Sequence, residues 1–116
     1  MVGMIGVDMV YIPEFALQAE LGGDTLLNKT FNPEELANRG INHLAGLWAA
    51  KEAVYKAAEK SPKTLKDIII SHDNLGKPSA RIAKQSFDIS ISHHGDYAIA
   101  VALRLSKWNI KTLASM

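Results

Sequence analysis

The first part of the chain combines one apolar run with a segment of helical character. Residues 4–12 are rich in Ile, Val and Met, which predicts a strand that ends at Pro13. Residues 14–21 then predict a short helix, which Gly22 and Gly23 end. The chain is therefore expected to open with a strand followed by a helix.

Two more helices are predicted before the chain changes character. Residues 32–35 begin the first, because asparagine is a good N-cap, proline fits the first helical position and the two acids suit the positive end of the helix dipole. Gly40 separates it from a longer helix, which runs from about residue 43 to residue 60 and ends at Ser61 and Pro62. The many alanines of the longer helix allow a strand or another helix to approach closely.

The second half consists of short apolar or alternating segments, which predict four strands. They are residues 67–72, 79–82, 87–92 and 97–105. A turn at residues 73–78 and a tight connection at residues 93–96 separate them, and the last eleven residues are a tail without a clear pattern. The order of strand, helices and strands predicts an α+β fold with a mostly antiparallel sheet packed against the long helix.

The composition fits a single globular domain over residues 1–116. The chain has 47% hydrophobic and 22% charged residues, which excludes collagen-like, coiled-coil and wholly disordered proteins. A domain of this size has a small core, so a neighbouring subunit can complete a site that needs several walls. The absence of cysteine excludes disulfides, iron–sulfur clusters, thiolate zinc sites and cysteine nucleophiles.

Charge and hydropathy exclude two further classes of protein. Thirteen Lys and Arg against twelve Asp and Glu give a net charge of +1, which argues against nucleic-acid binding driven by bulk charge. No run reaches the roughly 18 apolar residues of a membrane span, and the apolar N-terminal segment contains Asp8 and lacks a basic leader. We therefore expect a cytoplasmic protein without a nucleic-acid or membrane partner.

Three polar residues stand in apolar surroundings. A carboxylate inside a strand is costly without a partner, so Asp8 is either a cap at the strand end or a ligand for a hard cation such as Mg²⁺. Glu52 and Lys56 lie four residues apart on one face of the long helix, a spacing that usually marks a solvent-exposed ion pair. That interpretation is weaker here because few other polar groups lie nearby.

Two further segments have candidate chemistry. Hydroxyls and imidazoles lie where the strand of residues 87–92 ends, namely Ser90, Ser92, His93 and His94. They indicate a phosphate site, a histidine base or simply a polar hairpin end, and adjacent histidines on a strand point apart, which disfavours joint zinc binding. The turn Gly76-Lys77-Pro78 presents a lysine that can reach an anion, without a Walker or Rossmann motif.

Five blocks of the sequence are more informative in combination than any of them is alone. They are Gly6-Val7-Asp8-Met9-Val10, Phe31-Asn32-Pro33-Glu34-Glu35-Leu36, residues 44–57, Gly76-Lys77-Pro78 and Ile89-Ser90-Ile91-Ser92-His93. In this order they resemble the holo-acyl-carrier-protein synthase family of 4′-phosphopantetheinyl transferases. The specific part is the W-A-A-K-E-A-V-Y-K-A stretch within residues 44–57 combined with the early G-V-D.

The resemblance implies an enzyme of the 4′-phosphopantetheinyl transferase-like fold. Such an enzyme moves the 4′-phosphopantetheine arm of coenzyme A onto a serine of an acyl carrier protein or an integrated carrier domain, and releases adenosine 3′,5′-bisphosphate. The resemblance also implies Mg²⁺ as cofactor, a role in fatty acid biosynthesis, and a homotrimer that holds coenzyme A between adjacent subunits.

The resemblance further implies roles for individual residues. Asp8 and Glu52 match the carboxylates that bind Mg²⁺, and Lys56 matches a lysine near the pyrophosphate. The proton of the carrier serine is then expected to go first to a metal-bound water or to Glu52, and second to His93. The residues that match the lining of the coenzyme A pocket are Lys56, Gly76, Lys77, Pro78, Ser92 and His93.

The chain departs from the family pattern at three places. Leu47 stands where many relatives have arginine, and residues 58–62 replace a glycine-rich loop. Residues 11–26 contain three acidic residues and no Lys or Arg, where relatives have a basic helix that binds an acidic carrier. Steering toward an acidic carrier is therefore expected to be weak or reversed, which favours a carrier domain built into a large multifunctional synthase.

Two other interpretations remain. One is a non-catalytic module of the same fold that binds a carrier or a nucleotide; the missing glycine-rich loop favours it, and the retained Asp8, Glu52 and Lys56 disfavour it. The other is a structural oligomer in which Glu52 and Lys56 form a surface pair and Asp8 is a cap. The transferase interpretation requires the two carboxylates to lie close together in space.

Overall fold

One antiparallel sheet with a long helix on one face forms the centre of the fold. A computed structural model of the chain describes residues 4–38 and 40–106. The strands are β1 (Ile5–Tyr11), β2 (Ile69–His72), β3 (Pro78–Ile82), β4 (Gln85–His94) and β5 (Tyr97–Leu105). They lie in the spatial order β1-β5-β4-β3-β2, and every neighbouring pair is antiparallel. The predicted α+β fold is thus confirmed.

The strands differ from the predicted segments mainly at their ends. β5 has the predicted bounds, whereas β4 continues through His94, so only Gly95 and Asp96 connect the two strands. Gly95 has a φ of 55°, which a glycine adopts without strain. The predicted strand of residues 67–72 begins instead with a 3-10 turn, Leu65–Asp67. Of the predicted tail, residues 107–116 lie outside the described residues.

The first helix is longer than predicted. Helix α1 spans Ile12–Thr30, and Gly23 interrupts its helical backbone with φ 58° and ψ −154° instead of ending it. The helix resumes because Leu26 and Leu27 bury part of their side chains against the rest of the protein. Proline is tolerated in a first turn, so α1 begins directly after β1 instead of after a loop at Pro13.

The other two helices were predicted correctly in position. Helix α2 (Pro33–Leu36) has the expected cap: the backbone N–H of Asn32 donates to Glu35 Oε1 over 2.7 Å. Helix α3 (Ile41–Ala57) ends three residues earlier than predicted. Gln85 accounts for this, because its side chain accepts from the backbone N–H of Glu59 and donates to the carbonyl of Lys60. No helix among the residues described is long and apolar enough to cross a membrane.

Small residues bring α3 unusually close to the sheet. β5 contributes Ala98, Ala100 and Ala102, all without solvent exposure, and α3 packs mainly on β5 and β1. On β1, a Cβ atom at Gly6 would lie 1.9 Å from the carbonyl oxygen of Ala53. Only glycine therefore allows the two backbones to approach this closely.

A buried ion pair joins three elements on the other side of α3. The ammonium of Lys51, which has no solvent exposure, lies 2.9 Å from Glu35 Oε1 on α2. It also donates to the carbonyls of Leu65, at 3.1 Å, and Ile68, at 2.8 Å. Burial lowers the pKa of Lys51, and its interaction with Glu35 opposes that shift. Lys51 therefore has a structural role that its place beside Glu52 in the sequence does not indicate.

Replacement of Lys51 by methionine should destabilise the protein strongly. The Glu35 carboxylate would stay buried without its cation, so we expect the free energy of unfolding to fall by about 3–5 kcal/mol. Urea denaturation followed by circular dichroism measures this change. The double variant Lys51→Met/Glu35→Gln removes both charges and should recover part of the loss. Equal stability of the single variant and the wild type would contradict this role.

Candidate active site

Asp8 and Glu52 meet at one cavity. Asp8 lies on the helix-facing side of β1 and is partly buried, and Glu52 projects from α3 beside it. Both line a cavity of about 270 Å³ between β1, α1 and α3. The other residues that line it include Tyr11, Glu14, Phe15, Gln18 and Trp48. The spatial proximity that the transferase interpretation requires is therefore present within one protomer.

The local packing explains this proximity. Gly6 precedes Asp8 by two residues on the same face of β1, and Ala53 follows Glu52 on α3. Because the backbones touch at Gly6 and Ala53, the two carboxylates are held at neighbouring positions along the same contact. The alanine-rich sequence of α3 and the early glycine thus place the acids together.

The electrostatics of the cavity disfavour two free carboxylates. Burial raises the pKa of Glu52, and the negative charge of Asp8 raises it further. The charge of Lys56 and a hydrogen bond with the Trp48 side chain act in the opposite direction and lower it. The raised pKa shows that Glu52 retains a cost of ionisation that another cation near both acids would relieve.

Lys56 contacts β1 more directly than it contacts its own helix. Its ammonium donates to the carbonyl of Val7 over 2.9 Å and lies 3.2 Å from Asp8 Oδ1. Lys56 thus forms a bridge from α3 to Asp8, and not the surface pair with Glu52 that the structural alternative describes. Since the Lys56 side chain is 53% exposed, it can move toward an anion in the cavity at little cost.

The donor set of the cavity fits a hard divalent cation. Mg²⁺ is usually held by one or two carboxylates, with water and substrate phosphate oxygens as its other ligands. Asp8 and Glu52 supply two carboxylates without a histidine or thiolate that would favour a softer metal. Within the described ranges no group of three His, Asp or Glu side chains is placed to hold a metal alone. The role of this pair as metal ligands remains a prediction.

The second predicted group of residues lies at another cavity. Gly76, Pro78 and His93 line a space of about 220 Å³, together with His43, Gly46, Leu47, His72 and Ile91. His93 Nε2 lies 3.0 Å from the Asn42 carbonyl, and its ring sits over Gly46, where a Cβ atom would lie 3.1 Å away. Glycine at this position therefore makes room for the imidazole.

Two of the predicted pocket residues are placed differently. Ser92 pairs with Ile99 and projects from the opposite face of β4 from His93, so it lines neither cavity. Lys77 lies in the exposed turn beside the second cavity, and its backbone N–H donates to Asp73 Oδ1 over 2.9 Å. His94 also faces away from His93, as the strand alternation predicts.

The two cavities lie on opposite flanks of α3. Asp8 and Ile91 both pair with Ala100 of β5. His93 lies two residues beyond Ile91, so its Cα is roughly 12 Å from that of Asp8. Gly46 and Glu52 are six residues apart on α3 and thus point about 120° apart around its axis. Within one protomer, therefore, Asp8, Glu52 and Lys56 lie close together, whereas His93 lies at the second cavity.

Sequence reasoning missed several residues of these sites. Trp48 enters the sequence argument only as part of the W-A-A-K-E stretch, although its position four residues before Glu52 places it on the same helical face. Glu14 and Gln18 reach the first cavity because α1 starts directly after β1, a connection that the sequence did not predict. His43 and His72 have ring centroids 6.4 Å apart, and no pattern in the sequence connects them.

Comparison with known proteins agrees with the family resemblance of the sequence. The 4′-phosphopantetheinyl transferase superfamily matches residues 4–102. The holo-acyl-carrier-protein synthase of Mycobacterium tuberculosis strain H37Rv is 35% identical in a 122-residue alignment that covers 85% of this chain and 93% of that protein.

Solved structures agree in fold. The Helicobacter pylori holo-acyl-carrier-protein synthase in complex with coenzyme A has a TM-score of 0.79 and 30% identity, covering 88% of this chain and 100% of that chain. The Bacillus anthracis holo-acyl-carrier-protein synthase in complex with coenzyme A (3′,5′-ADP) has a TM-score of 0.74 and 26% identity, covering 91% of this chain and 99% of that chain. The chain therefore belongs to the 4′-phosphopantetheinyl transferase superfamily and, within it, to the holo-acyl-carrier-protein synthases.

Glu52→Gln should change how stability depends on pH. The folded protein raises the pKa of Glu52, so this group favours folding below its unfolded pKa, and that contribution is lost as the pH rises through the folded value. Without divalent cations, the glutamine variant should therefore be more stable than the wild type at pH 7. The difference should disappear near pH 4. Thermal unfolding in buffers between these pH values measures it.

The same variant tests the cation directly. Mg²⁺ should raise the melting temperature of the wild type and leave that of Glu52→Gln nearly unchanged, because only the wild type offers both carboxylates. Glu34→Gln is a matched control on α2, and it should respond to Mg²⁺ like the wild type. A similar response of all three proteins would contradict a metal site at Glu52.

Proposed function

We propose that this protein transfers the 4′-phosphopantetheine arm of coenzyme A to a serine of an acyl carrier protein or carrier domain in a Mg²⁺-dependent reaction. The observation that carries the proposal is the cavity that Asp8 and Glu52 line, with Lys56 bonded to Asp8, in a chain of this family. A relative from Helicobacter pylori is known in complex with coenzyme A, which supports that substrate. Released adenosine 3′,5′-bisphosphate is the second product.

The reaction replaces one phosphate ester bond with another. The carrier serine oxygen attacks the phosphorus that bears the pantetheine arm, and the bond from this phosphorus to the bridging oxygen breaks. Asp8 and Glu52 would hold Mg²⁺, which when bound offsets the charge of the pyrophosphate. The exposed ammonium of Lys56 lies 3.2 Å from Asp8 Oδ1 and is placed to neutralise the charge of the departing nucleotide phosphate.

Glu52 is the better placed of the two candidate side-chain bases. It lines the cavity that would receive the carrier serine, next to Asp8. His93 of the same protomer lies on the other flank of α3, with α3 between it and Glu52. We therefore assign the serine proton to Glu52 and assign His93 to binding the nucleotide beside Gly76 and Pro78.

The outer face of the sheet supports self-association, which we propose gives a homotrimer. The side of β1 and β5 that faces away from α3 carries exposed apolar side chains, and an apolar patch of this extent marks an interface. They are Ile5, Val7, Met9, Tyr11, Tyr97, Ile99, Val101 and Leu103. Assembly through this face would also allow coenzyme A to contact the first cavity of one subunit and the second cavity of another.

The product of this reaction suggests the wider role. A carrier with a pantetheine arm holds acyl chains as thioesters, and we propose a role in fatty acid biosynthesis on the basis of the family resemblance. The non-catalytic alternative keeps the two cavities for binding and predicts no transfer.

Asp8→Ala should abolish transfer while leaving the fold intact. Loss of one of the two carboxylates that would hold Mg²⁺ removes the positive charge that offsets the reacting phosphates, so we expect the rate to fall at least 100-fold, or about 2.7 kcal/mol. Mass spectrometry of an apo carrier incubated with coenzyme A and Mg²⁺ measures transfer, and circular dichroism checks the fold. Glu34→Ala should retain the wild-type rate. A wild-type protein that binds coenzyme A but modifies no carrier would support the binding module instead.

Val101→Glu should break the proposed assembly. A carboxylate at the centre of an apolar interface is desolvated without a partner, so we expect a monomer instead of a trimer. Light scattering after size-exclusion chromatography gives the mass, and calorimetry should show at least tenfold weaker binding of coenzyme A. Leu75→Glu changes an exposed leucine away from the sheet face and should leave the trimer intact. A monomeric wild type would contradict the assembly.

A further inference from the structure

Three histidines from three different elements line the second cavity. They are His43 of α3, His72 of β2 and His93 of β4. Among the residues that the structure describes, no Lys, Arg, Asp or Glu lines this space of about 220 Å³. The rings of His43 and His72 have centroids 6.4 Å apart. The imidazoles are therefore the ionisable groups that a molecule in this cavity would meet.

The hydrogen bond of His93 determines what its ring can offer to a ligand. Nε2 lies 3.0 Å from the carbonyl oxygen of Asn42, and a carbonyl only accepts, so Nε2 carries a proton. In the neutral ring, Nδ1 then has a lone pair and no proton. Nδ1 becomes a donor only when the ring takes up a second proton and is an imidazolium. His93 therefore donates to an anion through Nδ1 only in its charged form.

Acidic residues of α2 face the histidine pair from an adjoining cavity. His43 and His72 also line that cavity of about 350 Å³, to which α2 contributes Glu34 and Glu35. The Glu35 carboxylate already lies 2.9 Å from the ammonium of Lys51. Glu34 is exposed, so water weakens its attraction for a protonated histidine. The acids of α2 thus leave the second cavity available to an anion.

The turn between β2 and β3 adds one acid and one lysine beside the second cavity. The Asp73 carboxylate accepts from the backbone N–H groups of Leu75 and Lys77, both over 2.9 Å. Lys77 is exposed and lies between Gly76 and Pro78, which line the cavity. The turn therefore occupies its own acid in backbone hydrogen bonds and places a cation close to the opening.

We propose that His43 and His72 join His93 in binding a phosphate group of coenzyme A, and that the rings do so in the protonated form. This inference rests on the proposed function, which assigns the nucleotide to this cavity. A phosphate fits because imidazolium N–H groups form charge-assisted hydrogen bonds with its oxygens. His43 lies in the first turn of α3, where the helix dipole also favours an anion. Binding of the nucleotide should therefore draw protons onto the protein.

The pH dependence distinguishes the histidines from the ligand. Histidine is the residue type that changes charge between about pH 5 and 8. The phosphate groups of adenosine 3′,5′-bisphosphate also gain protons in this range, because the second ionisation of a phosphate monoester lies near about pH 6. The ligand thus becomes less negative as the pH falls, which by itself weakens its attraction to cations. Tighter binding at lower pH must therefore come from the protein.

Calorimetric titration of the wild-type protein with adenosine 3′,5′-bisphosphate tests the proposal. Without Mg²⁺, we expect the affinity at pH 6.0 to be roughly fivefold or more above that at pH 7.5, because the histidines gain charge over this range. The same titration in buffers that differ in their heat of ionisation should show net uptake of protons on binding. Circular dichroism at both pH values checks that the fold is unchanged.

Variants assign the effect to individual rings. His43→Gln/His72→Gln keeps polar side chains without their charge, so the affinity at pH 6.0 should fall by about fivefold or more and most of the pH dependence should disappear. His72→Arg places a permanent charge at an exposed position and should bind at pH 7.5 as tightly as the wild type does at pH 6.0.

Two control variants exclude other titrating groups. His94→Gln is matched to the histidine variants, because His94 is the neighbour of His93 on β4 and faces away from it. Glu52→Gln removes the acid of the first cavity, whose protonation would also favour an anion nearby. Both controls should keep the wild-type pH dependence.

The outcomes separate this inference from the proposed function. Equal affinity of the wild type at both pH values overturns the inference, and so does a pH dependence that persists in the double glutamine variant or disappears in Glu52→Gln. His72→Arg that binds no more tightly than the wild type at pH 7.5 overturns it as well. Absence of binding at both pH values refutes the inference together with coenzyme A as substrate. The expected pH dependence in a protein that modifies no carrier supports the histidine site and refutes transfer.

Discussion

The contact between the backbones of β1 and α3 is the constraint on which the rest of the structure depends. At Gly6 the strand lies so close to the carbonyl of Ala53 that no side chain fits between them. The alanines of β5 extend the same contact across the sheet. Two long side chains that had to be held close together would each lose rotamer freedom, which costs conformational entropy. Here the packed backbones set the separation, and short reaches from Asp8 and Glu52 suffice.

The same contact explains why the charges of the site respond to one another. Burial raises the pKa of Glu52, and the negative charge of the nearby Asp8 raises it further. Lys56 extends across the groove to β1, where it compensates Asp8 at a largely exposed position. By contrast, Lys51, its neighbour five residues earlier, is fully buried and joins α2 to the turn before β2. One helix thus presents one lysine to the carboxylate cavity's edge at Asp8 and another to the core.

Periodicity and turn chemistry were enough to predict the fold class, the order of elements and all of the strands. The bounds of β5 follow from a nearly continuous apolar run, and the cap of α2 follows from residue types whose hydrogen bonds are local. The errors came from contacts that no local pattern contains. Gly23 does not end α1, because tertiary packing of Leu26 and Leu27 continues the helix beyond it. Likewise, Gln85 ends α3 from a distant strand. The carboxylates and Lys56 were predicted through the family resemblance, whereas Trp48 and Gln18 required the geometry.

The buried alanines of β5 restrict which substitutions this protein can tolerate in the layer beneath α3. Ala98, Ala100 and Ala102 have no solvent exposure, and none of them has a group to remove except a methyl. Larger residues would push α3 away from the sheet and separate the two acids, and the overpacking would also destabilise the fold. Engineering for heat tolerance should therefore leave this layer unchanged and seek added stability at the far edge of the sheet, around β2 and β3.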